Sequence, residues 1–75
     1  MRKYLVDARV RAGLTQREAA HKLLISQNYL SDIERNIRQH DLKLSALKGF
    51  SRVYQVPLKD LIKAEEACHL KNKEG

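Results

Sequence analysis

TQREAAHKLLISQNYLSDIER, residues 15–35, reads as two short helices and the tight link between them. Thr15 is a good N-cap, and Glu18 stands three residues on. That is the capping-box spacing, in which each side chain satisfies the other residue's free backbone N–H. The helix it opens runs to about Leu23, with Ala19, Ala20 and Leu23 spaced for one face. Ser26 caps a second helix, Gln27 to Arg35, whose Leu30 and Ile33 point inward. Only Leu24 and Ile25 separate Leu23 from that cap. So short a link between two amphipathic helices forces a steep crossing. Ala20 fits a close crossing, where only a small side chain leaves room.

At about 100° per residue, Gln27, Ser31, Arg35, Asn28 and Asp32 fall within an arc of about 140° and form one polar face of the second helix. Tyr29, Ile33 and Leu30 lie opposite. Amides suit adenine, a guanidinium suits guanine and a carboxylate can accept from cytosine, so such a face can read base edges; it can equally be a solvated helix face. Glu34 lies between Gln27 and the inward-facing Leu30. A carboxylate there is partly buried and needs a partner, for which Arg9 is the candidate.

The run LTQ-x-x-A-A-x-x-L-x-IS-x-x-YLS-x-IER resembles the Cro and phage-repressor (Xre-type) helix-turn-helix family of transcriptional regulators, over about residues 5–62. The resemblance implies an all-α, five-helix, lambda-repressor-like DNA-binding domain, in which helices 2 and 3 form the helix-turn-helix. It implies that the helix over 27–35 enters the major groove, with Gln27, Asn28, Ser31 and Asp32 reading bases. Thr15, Gln16, Tyr29 and Arg35 would contact the DNA backbone. The family commonly pairs an arginine of helix 1 with the glutamate of the IER run, here Arg9 and Glu34. Two positions depart from the pattern. Leu24 stands where glycine is usual, so a slightly altered turn is expected if the backbone there must be left-handed. Asn36 replaces the glycine that often follows the ER pair, and asparagine is the next best residue for a left-handed cap.

Composition agrees with this class. Seventy-five residues make one domain, set at residues 1–70 with a frayed tail at 71–75, near the lower limit for a self-supporting core. There is no Trp and one Phe, so the core must be built from Leu, Ile, Val and Ala. The net charge is +6 and the isoelectric point about 9.8. Residues 1–63 hold 13 Lys/Arg against 6 Asp/Glu. A small basic domain suits a polyanion, but that attraction is independent of sequence. Cys68 is the single cysteine, which argues against a disulfide framework and fits a reducing cytoplasm, where a DNA-binding protein of a bacterium or phage would sit with the nucleoid. Apolar runs such as Leu23-Leu24-Ile25 are short, so neither a leader nor a membrane span is expected.

From the N-terminus, residues 1–12 read as a first helix. Leu5, Ala8 and Ala12 make its stripe, and Gly13 ends it. Arg2 and Lys3 lie off that stripe, free for phosphate or for solvent. Residues 36–43, NIRQHDLK, read as a loop, which in the family lies against the DNA backbone; Arg38, Gln39 and Lys43 are its phosphate candidates. Leu44, Leu47, Phe50 and Tyr54 mark a fourth helix. Gly49 within it costs about 1 kcal/mol against Ala and leaves room for close approach of another helix. Pro57 takes the first position of a fifth helix, where its missing N–H costs nothing. Leu58, Leu61 and Ile62 on that helix would form the dimer interface by the resemblance, or else close the monomer core.

No catalytic constellation, phosphate loop or metal-ligand spacing stands out, so neither an enzyme nor a cofactor is expected. The expected partners are double-stranded DNA and a second copy of the chain, bound to a palindromic operator as a repressor. The competing reading is an antitoxin or protein-interaction module of a mobile element, with a toxin-like protein partner served by the acidic pair Glu65 and Glu66.

Overall fold

A computed structural model describes residues 1–36 and 42–74, with side chains through residue 68. Five helices are present among the described residues: α1 (Lys3–Arg11), α2 (Gln16–Leu23), α3 (Gln27–Glu34), α4 (Leu44–Tyr54) and α5 (Leu58–Glu74). No described residue is in a strand. α2 packs on α3 and α4, α1 touches α3 and α4, and α5 lies along α4.

Local signals explain the helix starts. Thr15 Oγ1 accepts from Glu18 N at 3.1 Å, and Glu18 Oε1 accepts from Thr15 N at 2.9 Å, closing the capping box. Ser26 Oγ accepts from Tyr29 N at 3.0 Å and opens α3. Pro57 stands one residue before the first turn of α5, and its carbonyl accepts from Asp60 N and Leu61 N.

The helix ends share one device. Gly13, Leu24, Asn36 and Gln55 all have left-handed backbone, with φ of +77°, +62°, +59° and +56°. After α1, Gly13 N donates to Val10 O and Leu14 N to Arg9 O; after α2, Leu24 N donates to His21 O and Ile25 N to Ala20 O. This is the paired bonding of a Schellman turn, and Val56 N to Ser51 O repeats its longer bond after α4. In each case the residue after the left-handed one is apolar and packs on the core: Leu14, Ile25 and Val56. The turn at Leu24 is therefore kept rather than altered. The leucine itself takes the left-handed conformation that glycine would adopt more easily, and Ile25 behind it anchors the chain.

The core is Leu5, Ala8, Ala19, Ala20, Leu30, Ile33, Leu42, Leu47, Phe50, Tyr54 and Leu61. Three expectations change here. Ala12 is exposed, since α1 ends at Arg11. Leu44 is 51% exposed. Side chains lean toward a helix's N-terminus, so the first residue of α4 projects past the helix instead of onto it. Leu42, in the preceding link, fills the core in its place. Leu61 is 2% exposed and lies inside the monomer, whereas Leu58 and Ile62 are half-buried against the core. Among the described residues no helix is long and apolar enough to cross a membrane.

Candidate nucleic-acid interface

The outward side of α3 follows from its anchoring. Leu30 is fully buried and Ile33 nearly so, which fixes the rotation of the helix. Gln27, Asn28 and Arg35 are then exposed, while Ser31 and Asp32 are half-exposed at the edges of the same face. Tyr29 is half-buried and packs against the core. Asp32 and Tyr29 both make interactions of their own within the fold.

Glu34 is 2% exposed and is the centre of one polar cluster. Its Oε2 accepts from Arg9 Nε at 2.8 Å, and its Oε1 accepts from Gln16 Nε2 at 2.8 Å. Arg9 Nη1 also donates to Leu14 O at 2.9 Å. One carboxylate therefore joins α1, the start of α2 and the end of α3. Breaking such a buried pair by removing one partner costs about 3–5 kcal/mol. Gln16 turns one amide N–H inward to Glu34; an amide nitrogen carries two.

A second cluster was not foreseen. Arg2, expected at a phosphate or in solvent, is 1% exposed. Its Nε donates to Glu65 Oε1 at 2.9 Å and its Nη2 to Glu65 Oε2 at 3.1 Å. Tyr4 Oη donates to Glu65 Oε1 at 2.6 Å, and Leu42 N donates to Oε2 at 3.2 Å. Burial would raise the Glu65 carboxyl, but these donors outweigh it and hold the group below the usual glutamate range. The Tyr4 phenol is pushed well up, by burial first and then by the bond to Glu65. Glu65 is thus no part of an exposed acidic tail; of the pair, Glu66 is the exposed one. A sequence signal for it did exist. Leu58, Leu61 and Glu65 stand at i, i+3 and i+7, so a carboxylate lies on the apolar stripe, as with Glu34. Arg2 had no such signal.

The remaining sites sort by position. Thr15 is exposed at the start of α2 and Lys43 is exposed before α4. Arg2 also donates from Nη1 to Ile33 O, so the Leu42 link and the end of α3 meet through Arg2 and Glu65. Lys43 is thereby near the C-terminal end of α3. Arg38 and Gln39 lie outside the described residues.

Two capped helices crossing over a left-handed turn, the second presenting a polar face while its other side is locked in the core, define a helix-turn-helix domain. The helix-turn-helix family pattern matches residues 5–61, most of the chain, and the chain belongs to that family. It is 44% identical over 75 residues to the HTH-type transcriptional regulator ImmR of Bacillus subtilis (strain 168). That match covers 95% of this chain and 58% of the relative, so the chain spans little more than half of the relative's length. No solved structure matches the chain.

Proposed function

We propose that the chain is a sequence-specific double-stranded DNA-binding transcriptional regulator, a repressor that binds a palindromic operator as a homodimer. The observation that carries this is the outward face of α3. It carries the exposed amides of Gln27 and Asn28 and the exposed guanidinium of Arg35, with Ser31 and Asp32 half-exposed at its edges, residue types that pair with base edges. The similarity to a transcriptional regulator supports this reading.

In this reading Gln27, Asn28, Ser31 and Asp32 read bases. Thr15, Gln16, Tyr29, Arg35 and Lys43 hold the phosphates, together with Arg38 and Gln39. Leu58 and Ile62 offer apolar surface to a second copy; Leu61 supports them from inside. Two copies would set their α3 helices about 34 Å apart, one helical turn of DNA.

Selection from a random duplex pool at near-physiological salt tests it. The expected product is an inverted repeat with turn-spaced half-sites, and Gln27→Ala or Asn28→Ala should weaken the best site by about 1–3 kcal/mol and relax preference at one position. A pool that binds without enrichment would sink the base-reading roles.

A further inference from the structure

We propose that Arg2 is a positioning residue for α3, and that Glu65 on α5 sets Arg2 in place. The inference rests on α3 being the DNA-reading helix.

The last carbonyls of a helix lack partners within it and carry partial negative charge. α3 has no basic residue in its own last turn. The chain supplies one from its other end. Arg2 N donates to Glu34 O at 2.7 Å, and Arg2 Nη1 donates to Ile33 O at 2.8 Å. Glu34 O is thus held by the Arg2 backbone, and Ile33 O takes the Arg2 guanidinium as a second donor beside its local one, Asn36 N at 3.1 Å.

Arg2 is itself fixed. Two guanidinium nitrogens lie on the two oxygens of Glu65, and Tyr4 and Leu42 N complete that carboxylate. The pair spans 63 positions of sequence and is buried at both ends. The Arg9–Glu34–Gln16 cluster and the core residues hold the inward side of α3, but a short helix held along one side can still tilt. α3 is about 12 Å long, so a tilt of about 5° moves its far end by about 1 Å. That shift exceeds the tolerance of a hydrogen bond to a base edge. Being buried, Arg2 cannot meet a phosphate, so its effect falls on discrimination and not on the electrostatic part of binding.

The test compares the wild-type chain with Arg2→Lys, Tyr4→Phe and Glu65→Gln. Lysine keeps the charge but cannot span Glu65 and the Ile33 carbonyl at once. Tyr4→Phe keeps the ion pair and removes one donor, so a folded variant remains even if Glu65→Gln unfolds. Amide hydrogen exchange is one readout, and the affinity ratio of the selected duplex to a scrambled one is the other. In Arg2→Lys, the Arg35 and Asn36 amides should exchange roughly ten-fold faster relative to those of α4. The affinity ratio should fall roughly ten-fold with the salt slope unchanged; Tyr4→Phe should shift both readouts the same way by less. Exchange that rises evenly over all helices, or a ratio that stays at the wild-type value, overturns the inference while leaving α3 as the reading helix. A wild-type chain with no sequence preference overturns both.

Discussion

Leu24 is 90% exposed and sits at φ +62°, so it endures a left-handed backbone without burying its side chain. For a residue with a Cβ that conformation costs roughly 1–2 kcal/mol. Glycine there removes the strain, at some cost in unfolded-state entropy. Leu24→Gly should raise stability by about 0.5–1 kcal/mol in urea unfolding; a lowered midpoint would show that the leucine side chain makes a contact worth more than the strain. Glu65 gives a prediction in pH. Its folded carboxyl lies below its ordinary value of 4.5, so the unfolded chain takes up the proton first. The stability this group contributes is therefore present above about pH 4.5 and is lost as pH falls through the folded value. Thermal melts should show a falling midpoint below about pH 4.5, and a folded Glu65→Gln chain should show a shallower acid limb. An acid limb equally steep in that variant would assign the loss to other carboxylates.

At the scale of the element, α4 carries a glycine that its packing does not require. A Cβ built on Gly49 would meet Leu23 Cδ2 at 3.6 Å, an ordinary contact. α2 does approach α4 at this point, but a methyl group fits between them. Gly49→Ala should therefore stabilise the chain by about 0.5–1 kcal/mol, the helix-propensity difference. The urea midpoint should rise; a fall would mean that the added methyl disturbs the packing of α2 on α4 despite the ordinary contact distance. The helix ends matter more. Gly13, Leu24 and Gln55 each reverse the chain, and each is followed by an apolar residue that returns to the core. The position of α3 therefore depends on turns where the sequence holds only one glycine.

The whole molecule is basic, and its positive charge lies mainly before residue 64. If about five of these groups meet phosphates, association with any duplex should fall by about 10²–10³ between 50 and 200 mM salt. Fluorescence anisotropy on a scrambled duplex would measure this. A shallow salt dependence would move the charge away from the DNA contact. The same molecule has few large core residues, and two buried carboxylates tie its segments together. Glu34 joins α1, α2 and α3. Glu65 joins α5 to the first residues and to the link before α4.

Local interactions reach only a few residues along the chain, and these were readable. The Thr15 and Ser26 caps, the stripes apart from Ala12 and Leu44, the existence of a short turn at Leu24–Ile25 and the outward face of α3 all follow from spacings within one or two turns. Glu34 announced itself as a carboxylate on an apolar face, and Arg9 was the evident partner. Whether the polar face of α3 meets DNA was not readable to the same degree, because a polar helix face has the same pattern in solvent as on DNA. Only the tertiary structure decided that Leu44 faces out while Leu42 and Leu61 fill the core. Only it placed Arg2 inside, against a carboxylate 63 positions away. Spacing rules describe neighbours on one helix; a buried ion pair between the two ends of a chain is set by how the helices stack, after each of them has formed.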